Sequence, residues 1–261
     1  MTKKQTHEVF GISNTILADS YVDRGELDGV LATLLNRRNH IAIRGPSKCG
    51  KSWLRQRVLS SSITVQCRLG FTNIDIYTNA LAELGIRLIV EEATKYNFKG
   101  VVEGQISAGN DLIGKVTGKS SGEAGYEHSE KTQKIGHTVN DLKFIAELIT
   151  ASGRRLVIED VHYLASEQRE ILAYDLKALW DYGCFIVVVG VWGNANMFVH
   201  LNPDLSGRVE ELTIEWQPDD LRKIIANGCH VLSVRISREI QNNVIKDCFG
   251  NAGLLQRLAG R

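Results

Sequence analysis

The chain has 261 residues, 43% of them hydrophobic, and a formal net charge of +1. This size fits one large domain or one domain with a small appendage, and the near-neutral charge gives no long-range field that would attract nucleic acid or an anionic membrane. The cysteines form no CxxC pair, so we expect neither a disulfide framework nor a structural zinc site. The N-terminus lacks the apolar core of a signal peptide, and no apolar run approaches the ~18 residues of a membrane span. We therefore expect a cytoplasmic protein without a membrane partner.

Helices and strands are predicted to alternate in the first part of the chain. A loosely structured lead-in is expected over residues 1–20, followed by an amphipathic helix over residues 26–37 and a short buried strand at His40–Arg44. β-Branched residues after a serine-rich turn predict a second strand over residues 63–68, and a helix is predicted over residues 74–92.

Glycine recurs throughout residues 97–137. Because glycine favours turns, and long structureless loops are uncommon inside compact domains, we interpret this stretch as an insertion or a mobile loop. The alternation of residue types after Gly100 indicates a hairpin or an unpacked excursion.

The second half of the chain continues the alternation and then becomes helical. Strands are predicted over residues 154–160, 184–190 and 210–215, and helices over residues 138–151, 166–182 and from Pro218 onward. This order predicts a three-layer α/β fold with a central, mostly parallel sheet and a small C-terminal helical lid. The predicted divisions are a lead-in over residues 1–20, a core over residues 21–216 and a lid over residues 217–261.

A complete phosphate-loop motif, GxxxxGK[ST], follows the first predicted strand and precedes a predicted helix. Its glycines let successive backbone N–H groups point at phosphates, and the helix N-terminus adds partial positive charge. Lys51 is expected to bridge the β- and γ-phosphates and Ser52 to ligate Mg²⁺, whereas Lys48 and Cys49 contribute mainly backbone groups. The predicted nucleotide-binding residues are Gly45, Pro46, Ser47, Lys48, Cys49, Gly50, Lys51 and Ser52.

Two acids, Glu159 and Asp160, end an apolar strand that we expect next to the phosphate-loop strand. Ligand chemistry in open parallel sheets occurs at the carboxyl ends of strands. One acid is therefore expected to hold Mg²⁺ and the other to orient the attacking water. His162 follows them; since it has no second ligand at helical spacing, it is predicted to pack or to sense phosphate rather than to bind zinc.

Several segments together resemble the AAA+ and STAND ATPases, which are P-loop NTPases that use ATP with Mg²⁺. The phosphate loop and the acidic strand end are similar to the GpsgsGKS and IDEAHxL segments of that group and carry most of the resemblance. The matching segments are Tyr21–Arg24, Gly45–Ser52, Ile158–Leu164, Val187–Asn194, Leu205–Ile214 and Gly250–Arg257.

The resemblance implies separate roles for the two acids. By position, Glu159 is the magnesium acid and Asp160 the catalytic acid. The common order in this group is Asp followed by Glu, and the reversed order shortens the catalytic arm by one methylene. Slow or activator-dependent ATP hydrolysis is therefore expected.

Three further residues match functional positions of the group. The resemblance makes Arg208 an arginine finger for the nucleotide of a neighbouring subunit, with a surface pair to Glu210 or Glu211 as the alternative. Asn194 corresponds to a residue that orients the attacking water, or else is a turn asparagine. Arg257 corresponds to a γ-phosphate contact, or else is an exposed helix cation.

The resemblance implies an ATPase that switches as a homo-oligomer, in a bacterial defence or regulatory system whose effector is a separate protein. A DNA-associated AAA+ protein is one alternative, because residues 97–137 carry lysines, although acids dilute them. A nucleotide-stabilised scaffold without turnover is kept open by the order of the acids. A small-molecule kinase is permitted by the phosphate loop, although the paired acids favour hydrolysis.

Overall fold

The computed structural model describes residues 4–93, 98–104, 107–117 and 142–261. None of the helices in these ranges is long and apolar enough to cross a lipid bilayer. Numbered in chain order, the helices and strands are α1 (Thr6–Val9), α2 (Leu27–Leu35), β1 (His40–Arg44), α3 (Lys51–Val58), β2 (Ser62–Gln66), α4 (Asn73–Ala82), β3 (Ile86–Ala93), β4 (Phe98–Gly104), α5 (Ser107–Thr117), α6 (Leu142–Ala151), β5 (Arg155–Glu159), α7 (Ser166–Asp181), β6 (Val187–Gly190), α8 (Met197–Leu201), β7 (Val209–Thr213), α9 (Pro218–Leu232), α10 (Arg238–Asp247) and α11 (Ala252–Ala259).

The central sheet has five strands in the order β2-β5-β6-β1-β7, and all of its paired strands are parallel. β6 is apolar and buried along its whole length, and it separates the phosphate-loop strand β1 from the acidic strand β5. The expectation that β1 and β5 are neighbours is therefore wrong. Because the strands are parallel, the segments that follow β1, β5 and β6 all leave the sheet at the same edge.

Side chains of the sheet alternate between two helical layers. Leu156 and Ile158 of β5 pack with α4, α6 and α7 on one face, whereas Val157 between them packs with α2 and α3 on the other. Since helices cover both faces of a parallel sheet, the predicted three-layer α/β fold is confirmed. All five cysteines are buried and free.

The helix predicted over residues 74–92 is wrong in its second half. After α4, Gly85 adopts a φ of +71°, a left-handed conformation that ends the helix before β3 begins. β3 and β4 pair as an antiparallel hairpin, which confirms the hairpin indicated near Gly100. α5 packs against the start of this hairpin: a Cβ added to Gly109 of α5 would lie 2.3 Å from the carbonyl oxygen of Gly85, the residue before β3. Residues 118–137 of the glycine-rich stretch lie outside the described ranges.

The chain from Pro218 is helical in α9, α10 and α11, as predicted, and these helices form the lid. The lid core also includes Val9 and Phe10, which lie in the predicted lead-in over residues 1–20. We call residues 5–22 the N-terminal strap. Phe10 fits the lid because α9 carries Gly228, where an added Cβ would lie 2.0 Å from the Phe10 ring.

The strap also contacts the core of the protein. Trp53 and Gln56 of α3 donate side-chain hydrogen bonds of 2.9 Å and 3.0 Å to the carbonyls of Ser13 and Asn14. On the lid side, the Gly11 N–H donates to Gln256 Oε1 at 3.2 Å, and Gln256 Nε2 donates to Ser20 Oγ at 3.1 Å. The strap therefore connects α3 of the core to the lid.

Candidate functional site

A cavity of about 350 Å³ lies where the phosphate loop, the N-terminal strap and the lid meet. One half of its lining is largely apolar and comes from the strap, the lid and the segment between β7 and α9; it includes Ile12, Tyr21, Val22, Trp216, Ile224 and Ala252. The other half is polar and comes from the carboxyl ends of the strands; it includes Ser47, Lys48, Gly50, Lys51, Ser52, Asp160 and His162. Both halves open into one volume.

The phosphate loop is held between β1 and α3 by close packing. Gly45 has no room for a side chain, because a Cβ there would lie 2.8 Å from Cys49 Sγ and 2.9 Å from the Ile214 carbonyl oxygen. Gly50 has a φ of +90°, which L-residues rarely adopt, just before α3 begins. Burial raises the pKa of the Cys49 thiol, so this side chain packs as a neutral group. These constraints explain why the motif needs its two glycines.

Lys51 is 8% exposed and its ammonium group lies against the phosphate loop itself. Its Nζ donates hydrogen bonds of 3.0 Å to the Gly45 carbonyl and 2.7 Å to the Pro46 carbonyl. Among the described residues, the hydrogen-bonding partners of the Lys51 ammonium group are neutral carbonyls and a thiol, so none of them neutralises its charge. Burying an unneutralised charge is costly, and this favours an anionic ligand beside Lys51.

Arg24, the last residue of the matching segment Tyr21–Arg24, is a second buried cation at the cavity. Its guanidinium stacks on Trp216, 4.3 Å from the ring centroid, and donates a 3.4 Å hydrogen bond to the Cys49 carbonyl. Burial lowers the pKa of Arg24, and its Nε has no hydrogen-bond partner in the described part of the chain. Trp216 Nε1 also donates to the Cys49 carbonyl, at 2.9 Å.

The two acids at the end of β5 face different surroundings. Glu159 is buried and pairs with Arg55 of α3 at 3.0 Å, and it does not line the cavity. Asp160 bends out of the strand with a φ of +58°, lines the cavity and accepts a 2.9 Å hydrogen bond from Gln66 Nε2. Because the backbone turns at Asp160, just after the strand ends at Glu159, only the second of the two acids reaches the cavity.

The residues present fit a magnesium ion held beside phosphates. Ser52 and Asp160 both line the polar half of the cavity and supply a hydroxyl and a carboxylate oxygen. Mg²⁺ in nucleotide sites is bound by one or two protein oxygens, together with phosphate oxygens and water. Among the described residues no cluster of three His, Cys, Asp or Glu side chains could hold a metal ion.

Arg208 lies at the edge of the sheet opposite the cavity. Its carbonyl accepts from the His40 N–H at the start of β1, whereas the phosphate loop follows the other end of that strand. Its guanidinium stacks on Trp180 at 4.8 Å. The alternative of a surface pair is wrong, because Arg37 and Arg44 pair with Glu210 and Glu211 instead.

Asn194 and Arg257 are not brought to the cavity. Asn194 is exposed in the segment after β6. On α11, Ala252 and Gln256 line the cavity four residues apart, and the next residue, Arg257, is exposed because each helical position turns by about 100°. The proposed roles of both residues therefore have no support from their positions in this chain.

Solved structures of P-loop ATPases share this architecture. A Walker-type ATPase of Pyrococcus abyssi superposes with a TM-score of 0.50 at 15% identity, over 90% of this chain and 66% of that one. A STAND protein with a tetratricopeptide repeat sensor from Pyrococcus horikoshii superposes with a TM-score of 0.52 at 14% identity, over 94% of this chain and 30% of that one. No protein-family model matches the sequence, and no curated protein does.

The likeness establishes the fold. The chain has the P-loop NTPase fold, with a parallel sheet and a C-terminal helical lid, as the sequence predicted. It spans about two thirds of the length of the first of these proteins and less than a third of the second.

Proposed function

We propose that the protein is a cytoplasmic, Mg²⁺-dependent ATPase that acts as an oligomerising nucleotide switch. One observation supports this most strongly: the cavity joins an apolar half to a phosphate loop and contains two buried cations, Lys51 and Arg24. Its volume of about 350 Å³ lies within the range of small-molecule sites. An apolar half suits a nucleobase, and the cations suit its phosphates.

The phosphates would lie on the backbone N–H groups of the loop and the start of α3. Lys51 would exchange its carbonyl partners, Gly45 and Pro46, for the β- and γ-phosphates. Ser52 and Asp160 would hold Mg²⁺, which neutralises charge on the phosphates when it is bound. Asp160 is thereby given the metal role that the resemblance implied for Glu159, because Glu159 is occupied by Arg55.

Direct contacts between the phosphate loop and the lid support a switch. The carbonyl of Ser47 accepts from Asn251 Nδ2 at 2.9 Å, and the carbonyl of Lys48 accepts from the Gly253 N–H at 3.0 Å. Gly253 allows this approach, because a Cβ there would lie 2.6 Å from Lys48 Cβ. A change in the loop backbone on phosphate binding would therefore act on α11 without an intermediary.

The position of Arg208 supports assembly into an oligomer. A residue at the edge opposite its own cavity does not reach its own nucleotide, so any nucleotide contact of Arg208 would be with a neighbouring subunit. An arginine finger acting in trans needs this arrangement. The bacterial defence setting and the separate effector protein follow from the resemblance alone.

The test is binding and turnover of ATP with Mg²⁺, measured over a range of protein concentrations. We expect saturable MgATP binding by calorimetry and a rate per subunit that rises with concentration. Lys51→Ala should lose binding, and Arg208→Ala should bind normally but turn over slowly. Wild-type protein that binds no nucleotide would overturn the proposal, and a rate independent of concentration at unsaturated assembly would remove the role of Arg208.

A further inference from the structure

We infer that His162 contacts the γ-phosphate through its Nε2–H group and so distinguishes ATP from ADP. The inference rests on the proposed nucleotide function and adds a specificity residue to it. His162 lies two residues beyond Asp160, and both side chains line the polar half of the cavity together with Lys51 and Ser52. It therefore belongs to the part of the lining that contains the phosphate loop and Asp160.

The ring of His162 is held from two sides. The Val191 N–H, at the end of β6, donates a 3.3 Å hydrogen bond to His162 Nδ1. The ring also packs on Tyr163, with centroids 4.3 Å apart and planes inclined by 36°. These contacts fix the ring at the point where the segments after β5 and β6 come together.

The hydrogen bond from Val191 also fixes the tautomer. A backbone N–H can donate only to a ring nitrogen that carries no proton, so the proton of the neutral ring lies on Nε2. Nε2 has no hydrogen-bond partner among the described residues, and the His162 side chain is 24% exposed in a cavity wall. The site therefore contains an oriented donor that is available to a ligand oxygen.

The neighbours of His162 make the terminal phosphate its expected acceptor. Asp160 Oδ1 lies 4.0 Å from His162 Nδ1, so the histidine flanks the acid that we place beside the magnesium ion. Lys51 and Ser52, which serve the β- and γ-phosphates in P-loop proteins, line the same half of the cavity. The nucleobase and ribose would lie towards Ile12, at the other end.

Two substitutions separate the two nitrogens of the ring. His162→Asn keeps an acceptor near the Nδ1 position but removes the donor at Nε2, whereas His162→Gln places an amide N–H₂ near Nε2. We would measure the dissociation constants of ADP and of a non-hydrolysable ATP analogue by calorimetry with Mg²⁺. His162→Asn should weaken the analogue about tenfold and leave ADP within about twofold, because a hydrogen bond to a charged group is lost. His162→Gln should retain most of the preference.

Matched controls separate this inference from the proposed function. His200→Asn, at an exposed histidine of α8 outside the cavity, should change neither constant. If His162→Asn fails to fold, His162→Phe, which keeps the packing on Tyr163 but has no ring nitrogen, should show the same selective loss. Equal weakening of ADP and analogue, or no change in either, would overturn the inference. Wild-type protein that binds neither nucleotide would instead overturn the proposed function.

Discussion

The phosphate loop and the N-terminal strap line the same cavity, but they are held in different ways. The loop is fixed by local geometry, with Gly50 at a φ of +90° and no space for a Cβ at Gly45. The strap is fixed by distant partners, with Phe10 seated on Gly228 of the lid and Ser13 bonded to Trp53 of the core. A local sequence motif therefore predicts the loop, whereas no local pattern predicts the strap.

This difference implies that substitutions in the phosphate loop mainly change ligand affinity, whereas substitutions in the strap mainly change the free energy of unfolding. Lys51→Ala should weaken MgATP binding by on the order of 100-fold or more, because it removes the charged group beside the phosphates. Its unfolding midpoint in urea should stay close to that of the wild type. Lys177→Ala, which removes an exposed ammonium of α7, is the matched control for binding. An affinity for MgATP that is unchanged in Lys51→Ala would contradict the role of the phosphate loop in ligand binding.

The opposite pattern is expected for the strap. Phe10 is 3% exposed, so Phe10→Ala should lower the free energy of unfolding by about 3 kcal/mol or more. Phe249→Ala makes the same chemical change at a side chain that is 88% exposed, and should change stability by less than about 0.5 kcal/mol. Urea denaturation of both variants measures the contrast. Equal stability of the two would mean that the strap does not hold the lid.

The same contrast between stability and ligand binding is expected for Glu159, which ends β5, and Asp160, which follows it. Glu159→Gln leaves Arg55 buried without its partner, and should cost about 2–3 kcal/mol of stability while Mg²⁺-dependent binding persists. Asp160→Asn should leave stability within about 1 kcal/mol and weaken nucleotide binding only when Mg²⁺ is present. Denaturation curves, together with calorimetry with and without Mg²⁺, test both. If Glu159→Gln alone loses the magnesium dependence, the roles are reversed.

The smallest expected effect concerns two buried groups away from the cavity. Burial raises the pKa of Asp175 to about 6 from 3.8, so between these values the folded state binds more protons and stability falls as pH rises. Burial lowers the pKa of His40 to about 4 from 6.5, so there the unfolded state binds more protons and stability falls as pH falls. The two slopes oppose each other near pH 5.

Removing the titration of Asp175 should leave the pH dependence of stability that comes from His40. Asp175→Asn should lose about 2 kcal/mol of stability between about pH 6.5 and pH 4.5 through His40, whereas the wild type should change much less. Chemical denaturation at the two pH values provides the measurement. A variant as insensitive to pH as the wild type would show that His40 carries no such penalty.

The sequence predicted the sheet and its two main motifs, because each is encoded within a few residues. It misplaced β3 because the apolar residues after Gly85 fit a helical period as well as a strand, and only pairing with β4 decides between them. It also placed β5 beside β1, since the order of strands depends on packing across the sheet rather than on neighbouring residues.

The site was predicted in part for the same reason. The loop and Asp160 line the cavity, as does Arg24 of the matching segment Tyr21–Arg24. The stacking of Arg24 on Trp216 was not foreseen, because it joins segments that are distant in sequence. The assignment of Glu159 did not anticipate Arg55, which lies in α3 and reaches it only in the folded chain. The available signal for Trp216 was its residue type and position, because it is a tryptophan two residues before the helix predicted from Pro218.

The N-terminal strap limits how the lid can move. The lid is joined to the core covalently through Trp216, and again through the strap at Phe10 and Gln256. Two attachments restrict the lid more than one attachment would. A lid movement that keeps both of them would therefore shift Asn251 and Gly253 against the phosphate loop along a restricted path.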